Sequence, residues 1–572
     1  MRFINKLLPF LLLSILLISC GGKESAIEQP LIAKGGKFYG GELKFSSPER
    51  INTLFPLASQ DAYSQRITAQ IFETLLKLDL ETMQIKPGLA ESYTVNQNAT
   101  IFTLKIRKGV FFHNDACFNG VAREMSVKDV KFSLDFACSG LKENKFGPQL
   151  LNRIKGASAF REKTKLKLTN TGVPGIKILD EQTLQIELEE SFVGFDKILT
   201  MIHLGIFPKE AYETYGEQIA YHPVGTGPFI LEKMDQNGII LKRNINYWRK
   251  DEFGNQLPFL NKVVMSYVQD KKTELQAFNN KEIDMIFDIP GDQIEFLLGS
   301  LKDAQNGKNV KHQVESKSSY SIDYIGFNCS SPEFNDAKIR QAFNYAINRN
   351  VVTDEWMNGD GYPAHYGFVP SMGEFSNANI RDISNDDEKA RQLFKKSGFP
   401  NGKGFPEIDF YVNAIKGSIT HKMCLGIADE LKSVLGVQVN IKLCTLLEQE
   451  RAISDGTAKM WRSGWVADYP DAESFLSLFY FDDRRQQADF INTFNFNNYE
   501  FNNKLLQACK EQDLKKRNLL YEACSQIIVN ESPVIPIVND DFMVMINKRV
   551  KNFKTNEMEH VDFSSIFIKD TY

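Results

Sequence analysis

Beyond its first twenty residues, this 572-residue chain has no apolar run long enough to cross a bilayer as a helix, which takes about 20 residues. Cysteine is scarce, at eight residues, and no CxxC pair or tight cluster occurs. A zinc, disulfide-scaffold or dithiol-redox reading therefore has little to rest on. The seven histidines (His113, His203, His222, His312, His365, His421 and His560) never fall at metal-ligand spacing,. No GxSxG elbow is present,. Gly398 to Gly404 (GFPNGKG) is one residue short of a phosphate-binding loop, and Gly404 stands where the magnesium-binding hydroxyl belongs,. Low-complexity tracts and internal repeats are missing as well. These absences predict no catalytic centre, no metal and no cofactor. Carboxylates are plentiful, but sequence alone cannot pair them for glycoside chemistry.

At the N-terminus, Arg2 and Lys6 precede an apolar run from Leu7 to Ile18, broken only by Pro9 and Ser14. That is the length and flank of a signal-peptide core. The run ends in Leu17-Ile18-Ser19-Cys20-Gly21, which resembles the bacterial lipobox, in which the cysteine thiol receives lipid and becomes the first mature residue. Residues 1–19 are thus expected to be a signal peptide, Cys20 the lipidation site and 20–36 a flexible tether rich in Gly, Lys, Glu and Ser. Removing Arg2 and Lys6 leaves 66 basic against 72 acidic residues, a formal charge of −6. That balance offers no basic footprint for nucleic acid. Seven cysteines remain, an odd count, best read as buried small hydrophobes.

A mature body of about 550 residues exceeds one hydrophobic core and should divide into two or three domains. Thr100 to Arg107 (TIFTLKIR), Gln182 to Glu189 and Gly238 to Lys242 alternate as half-buried strands do,. Helices are expected from Ser126, over Asp336 to Ile347, and over His421 to Leu435 with Gly436 as the stop,. Val437 to Leu443 follows as a strand. Without a regular βαβ repeat, the pattern predicts a large α/β protein of several lobes rather than one doubly wound sheet.

A family resemblance begins at Ile71 to Val95 (IFETLLKLDLETMQIKPGLAESYTV). It continues through Lys105 to Val110, Phe112-His113 and the helix at Val127 to Leu134. His222 to Phe229 (HPVGTGPF), Arg243-Asn244, Asn246-Tyr247-Trp248 and Lys281 to Asp284 follow in order, then Gly326-Phe327-Asn328, Arg340-Gln341-Ala342, Ala346 to Arg349 and Trp461 to Phe475 (WRSGWVADYPDAESF). In HPVGTGPF the prolines fix backbone angles, and the glycines are expected to allow unusual ones. Trp248 and Phe343 read as core. From about residue 40 to 540 the chain resembles the family 5 extracellular solute-binding proteins, the oligopeptide and dipeptide receptors of ABC importers.

The resemblance implies an α/β two-lobed clamshell of the periplasmic-binding-protein kind (type II, cluster C-like) with an extra inserted domain. Lobe I would comprise 37–77, 192–316 and 539–572, the inserted domain 78–191 and lobe II 317–538. It also implies a monomeric receptor that captures a short peptide and hands it to ABC permease subunits, tethered to the membrane by lipid. In peptide-binding relatives the position matching Asp468 meets the ligand's ammonium, and that matching Arg462 can meet a carboxylate. The backbone at Gly464, Trp465 and Val466 pairs with the peptide main chain. The residues themselves leave other readings open: Asp468 also suits a turn beside Tyr469-Pro470, Arg462 an internal ion pair, and Trp465 a core position. Such receptors often carry a tryptophan at the position matching Leu446 and can carry a cysteine at Val466, so the pocket need not share their preferences. The family also carries oligosaccharides and nickel complexes, and a secreted hydrolase is the remaining alternative.

Overall fold

Apolar residues recurring at every second position bury one face of a strand, as in Ile101–Ile106 and Thr183–Glu187, whereas strands such as Ser321–Phe327 and Met285–Phe287 are buried on both faces,. The computed structural model describes residues 31–146, 151–287, 289, 313–357, 361–381, 384–481 and 492–569. The expected signal peptide, the expected lipidation site Cys20 and residues 20–30 of the expected tether lie outside them.

The first lobe carries a seven-stranded sheet in the order Gln313–Ser318, Asp541–Ile546, Met285–Phe287, Glu42–Ser47, Lys262–Tyr267, Gly238–Arg243 and Phe229–Asp235. The second carries six strands: Tyr362–Pro363, Val534–Asn539, Ser321–Phe327, Met460–Val466, Ile408–Asn413 and Val439–Cys444. A third sheet, of Ala90–Val95, Ile101–Ile106, Thr183–Glu187 and Ile176–Ile178, packs on the helix Val127–Ala137. The chain passes between the lobe sheets at 319–320 and again at 540. The two crossings lie side by side, with the Ser319 amide donating to the Asp540 carbonyl at 3.0 Å and Asn539 Nδ2 to the Ser321 carbonyl at 2.9 Å. Two short adjacent crossings make a hinge, the joint of a two-lobed clamshell.

Local signals govern most element ends. Ser126 and Asp129 form a reciprocal capping box, Asp336 caps Ala337–Ala346, and Ile419–Leu435 ends on Gly436 at φ +71°,. All seven cysteines among the described residues are free thiols, four of them buried.

The motifs carrying the family resemblance converge on one buried carboxylate. Glu73 accepts hydrogen bonds from Tyr247 Oη and Trp248 Nε1 at 2.8 Å each, from Thr226 Oγ1 at 3.0 Å and from Lys77 Nζ at 2.8 Å. Arg107 stacks 4.4 Å from the Trp248 ring centre. His113 closes the cluster, its amide donating to the Gly225 carbonyl at 2.8 Å. Burial alone would raise the Glu73 pKa; Lys77 and the surrounding donors reverse this and hold it below its ordinary value,.

Two expectations change. Gly225 and Gly227 do not adopt left-handed angles; a Cβ at either would meet the Ile71 carbonyl oxygen or the Gln70 carbonyl oxygen at 2.1 and 2.6 Å. Close backbone approach to the end of helix Ala62–Ile71 is what requires glycine there. Residues 31–36, expected to end the tether, are held against the body. Ala33 is buried, the Lys34 amide donates to Asn255 Oδ1 at 3.0 Å, and Lys37 pairs with Asp251 at 3.0 Å.

Candidate functional site

The strand Met460–Val466 divides its side chains between two environments. Met460 belongs to the core formed with Ile325, Phe410 and Cys424, whereas Trp461 enters the opposite core, its ring stacked 5.7 Å from Phe494. Alternation then sends Arg462 to the Met460 face and Ser463 and Trp465 to the Trp461 face. Arg462 meets Asp323 there, Nε donating to Oδ1 at 2.8 Å and to Oδ2 at 3.0 Å, with Nη2 on Oδ2 as well. Burial works against its charge, but Asp323 outweighs that effect and holds the guanidinium above its ordinary pKa. The internal ion pair left open by the sequence is thus present, and Nη1 is the guanidinium nitrogen without a partner among the described residues.

The same strand is paired along its full length on one side only. Ser321–Phe327 runs antiparallel to all seven residues, but Ile408–Asn413 pairs with Met460, Trp461 and Arg462 alone. Gln449 closes that second ladder, Nε2 donating to the Tyr411 carbonyl at 3.0 Å and to the Arg462 carbonyl at 2.9 Å. Ser463, Gly464, Trp465 and Val466 therefore present an edge that no described strand covers. Gly464 and Val466 are exposed, and a Cβ at Gly464 would meet only the Ile322 carbonyl oxygen, at 3.8 Å. Trp465 is half-buried, and its enclosed Nε1 has no hydrogen-bond partner among the described residues. An open edge with an idle indole donor is chemically suited to an extended chain bearing carbonyls.

Past the strand, the Ala467 amide donates to the Tyr320 carbonyl at 2.8 Å and the Asp468 amide to Ser474 Oγ at 2.9 Å. Those two bonds fix the turn and leave the half-buried Asp468 carboxylate without a cation among the described residues. Desolvation, and next the negative Glu473 nearby, push this carboxyl up to about 7,. Its acidic neighbours already have partners of their own. Glu473 accepts from Tyr469 Oη and pairs with Arg153, while Asp471 Oδ2 pairs with Lys197 Nζ at 2.5 Å. Arg153 and Lys197 come from the far side of the hinge, so this contact also joins the two halves of the molecule.

Of the five residues singled out on this strand and turn, Gly464, Trp465, Val466 and Asp468 lie on the open edge or at its end. Arg462 faces the helix layer instead. Leu446 is exposed at the start of the helix Leu446–Ser454. Asp323, Gln449 and Glu473 went unnoticed. A carboxylate within the otherwise apolar run Ser321–Phe327 was the available signal for Asp323, since a buried acid needs a partner. Among the described residues, no group of three or more His, Cys, Asp or Glu side chains is placed to hold a metal, and no helix is long and apolar enough to cross a membrane.

Residues 84–487 match the family described as bacterial extracellular solute-binding proteins, family 5 Middle. Over 511 residues the chain is 28% identical to the glutathione-binding protein GsiB of Escherichia coli, covering 88% of this chain and 89% of that one. Among solved structures, the periplasmic binding protein DppA of Helicobacter pylori, in complex with the peptide STSA, superposes with a TM-score of 0.78 at 24% identity, covering 93% of this chain and 99% of that one. A periplasmic oligopeptide-binding protein of Borrelia burgdorferi, OppAIV, gives 0.77 at 22% identity, covering 93% and 100%.

Proposed function

The chain belongs to the bacterial extracellular solute-binding proteins of family 5, and from that premise we propose that its solute is a short peptide. The peptide main chain adds as a strand to the open edge at Ser463–Val466, its ammonium meets the Asp468 carboxylate, and the lobes close over it. The observation that carries this reading is the open edge ending in an acid that has no cation among the described residues. Main-chain pairing gives affinity without reading side chains, which suits a receptor for several sequences. Arg462 keeps only Nη1 for a carboxylate, a weaker hold than a free guanidinium. Glutathione, the ligand in the name of the Escherichia coli relative, is itself a tripeptide with a free ammonium and belongs in any ligand panel.

Native mass spectrometry of the purified protein is expected to release bound peptides; a co-purified sugar or metal complex in their place would refute the reading. Gly464→Val adds bulk only into open space. It should leave the melting temperature of the ligand-free protein within about 2 °C, since surface changes are usually within about 0.5 kcal/mol, while abolishing peptide capture. Retained binding in that variant would remove the main-chain pairing.

Delivery to ABC permease subunits, and a lipid anchor on Cys20 at the cell envelope, complete the proposal. Several acyl chains hold a protein firmly where a single one does not. Cys20→Ser should lose incorporation of a palmitate analogue, and an unlabelled parent protein would contradict the anchor.

A further inference from the structure

We infer that Arg66 is a second charged anchor of the cleft, receiving a carboxylate of the ligand from the first lobe while Asp468 holds the ammonium from the second. The inference rests on the peptide reading above and adds to it the residue that selects the anionic end.

Arg66 lies on the helix Ala62–Ile71 and is only 7% exposed. Arg340 and Arg349 are the other arginines this enclosed among the described residues. Arg340 donates to the Phe334 and Glu531 carbonyls, and Arg349 to the Pro536 carbonyl and Asn344. The Arg66 guanidinium makes no hydrogen bond to a described residue, and its Nε is fully enclosed without a partner among them. Its cation rests instead on aromatic faces, 3.8 Å from the Phe287 ring centre and 5.8 Å from that of Tyr63. An aromatic face offsets only part of what burying an unpaired charge costs. A guanidinium stacked on one face and idle at its edge is arranged to receive a planar anion in its own plane, as a carboxylate binds.

Its position makes that anion part of the ligand. Phe287 stacks on Phe542 at 6.2 Å and 16°, and Phe542 stands two residues beyond the crossing at 540. Asp468 reaches the same pair of crossings from the second lobe, through the bond between the Ala467 amide and the Tyr320 carbonyl. An idle cation and an idle acid thus abut one hinge from opposite lobes. A zwitterion enclosed there meets an opposite charge at each end.

The test is titration calorimetry of di-, tri- and tetra-alanine, each as the free acid and as the C-terminal amide, on the parent protein, Arg66→Gln and Arg66→Lys. Melting curves of the ligand-free proteins accompany it. The parent protein should bind at least one acid tenfold or more tighter than its amide. Arg66→Gln should bring that acid down to its amide's affinity without lowering the ligand-free melting temperature, and Arg66→Lys should restore part of the difference. An acid preference that survives Arg66→Gln overturns the inference. So does an equal loss for acid and amide together with a lower melting temperature, the mark of a purely structural arginine. Equal binding of acid and amide by the parent protein refutes the Arg66 role and leaves the peptide reading standing. Failure of both series to bind removes the peptide reading and this inference with it.

Discussion

Affinity for a peptide with a free amino end should fall about 25-fold between pH 7.5 and 5.5 in the parent protein and stay level in Asp468→Asn. The cause lies in the free protein, where burial and Glu473 push the Asp468 carboxyl up to about 7. Below that pH the group is protonated before the ligand arrives. Salt-bridging an ammonium requires the ionised form, so binding must release a proton, and the dissociation constant rises about tenfold per pH unit. The folding consequence has the opposite sense to that of a salt-bridged acid. A carboxyl whose folded pKa is raised favours the fold fully below its unfolded value near 4, and that contribution is lost as the pH climbs through 7. The ligand-free protein should therefore lose some stability across that window, and the peptide complex should not. Asp468→Asn keeps the shape and cannot ionise. It should also weaken binding at pH 7.5 by about thirtyfold or more, because breaking a buried charged pair costs about 2–5 kcal/mol. Titrations at four pH values check both points, and a flat profile in the parent protein would contradict the assignment.

Arg153→Ala should weaken peptide capture by about a hundredfold or more without removing any group proposed to touch the ligand. Arg153 pairs with Glu473, whose side chain is 1% exposed, and its guanidinium lies 3.8 Å from the Phe192 ring centre. Beside it Lys197 pairs with Asp471 and donates to the Pro470 carbonyl at 3.2 Å, and the Val193 amide donates to the Cys509 carbonyl at 3.1 Å. These contacts join segments on opposite sides of the hinge, so they stabilise the closed arrangement. Leaving Glu473 enclosed without its partner costs about 3–5 kcal/mol. Because that cost falls on the closed form, it appears as a lower population of the binding-competent state. Small-angle scattering at saturating peptide should give a larger radius for Arg153→Ala than for the parent protein. Arg153→Met combined with Glu473→Gln, which removes both charges, should recover part of the affinity. Unchanged affinity in Arg153→Ala would show that closure does not depend on this contact.

Period and capping made much of the architecture legible in the sequence. Ile101–Ile106 and Thr183–Glu187 alternate cleanly, and Ser126, Asp336 and Gly436 mark helix ends with their own chemistry. The resemblance supplied the order of the motifs, but not why Glu73, Thr226, Tyr247 and Trp248 travel together; a shared buried carboxylate gives the reason. The site was less legible because function there depends on which face a side chain takes and what stands opposite. Arg462 reads as a ligand residue until strand parity places it beside Asp323, 139 residues earlier. Nothing in the sequence singles out Arg66, since neither the aromatic ring beneath it nor the lack of a partner for its Nε among the described residues can be seen before Phe287 and the hinge come together. Gly225 and Gly227 were correctly marked as special for the wrong physical reason: the constraint is the neighbouring backbone at Gln70 and Ile71, not a backbone angle.

The central claim is that the cleft recognises a peptide by its free amino end. Calorimetry of the parent protein with di-, tri- and pentapeptides, each carrying either a free or an acetylated N-terminus, tests it most directly. Acetylation removes the positive charge and leaves the main chain able to pair along Ser463–Val466, so the expected result is binding of the free peptides and a loss of about thirtyfold or more on acetylation. Equal affinity for the free and acetylated forms would contradict the account.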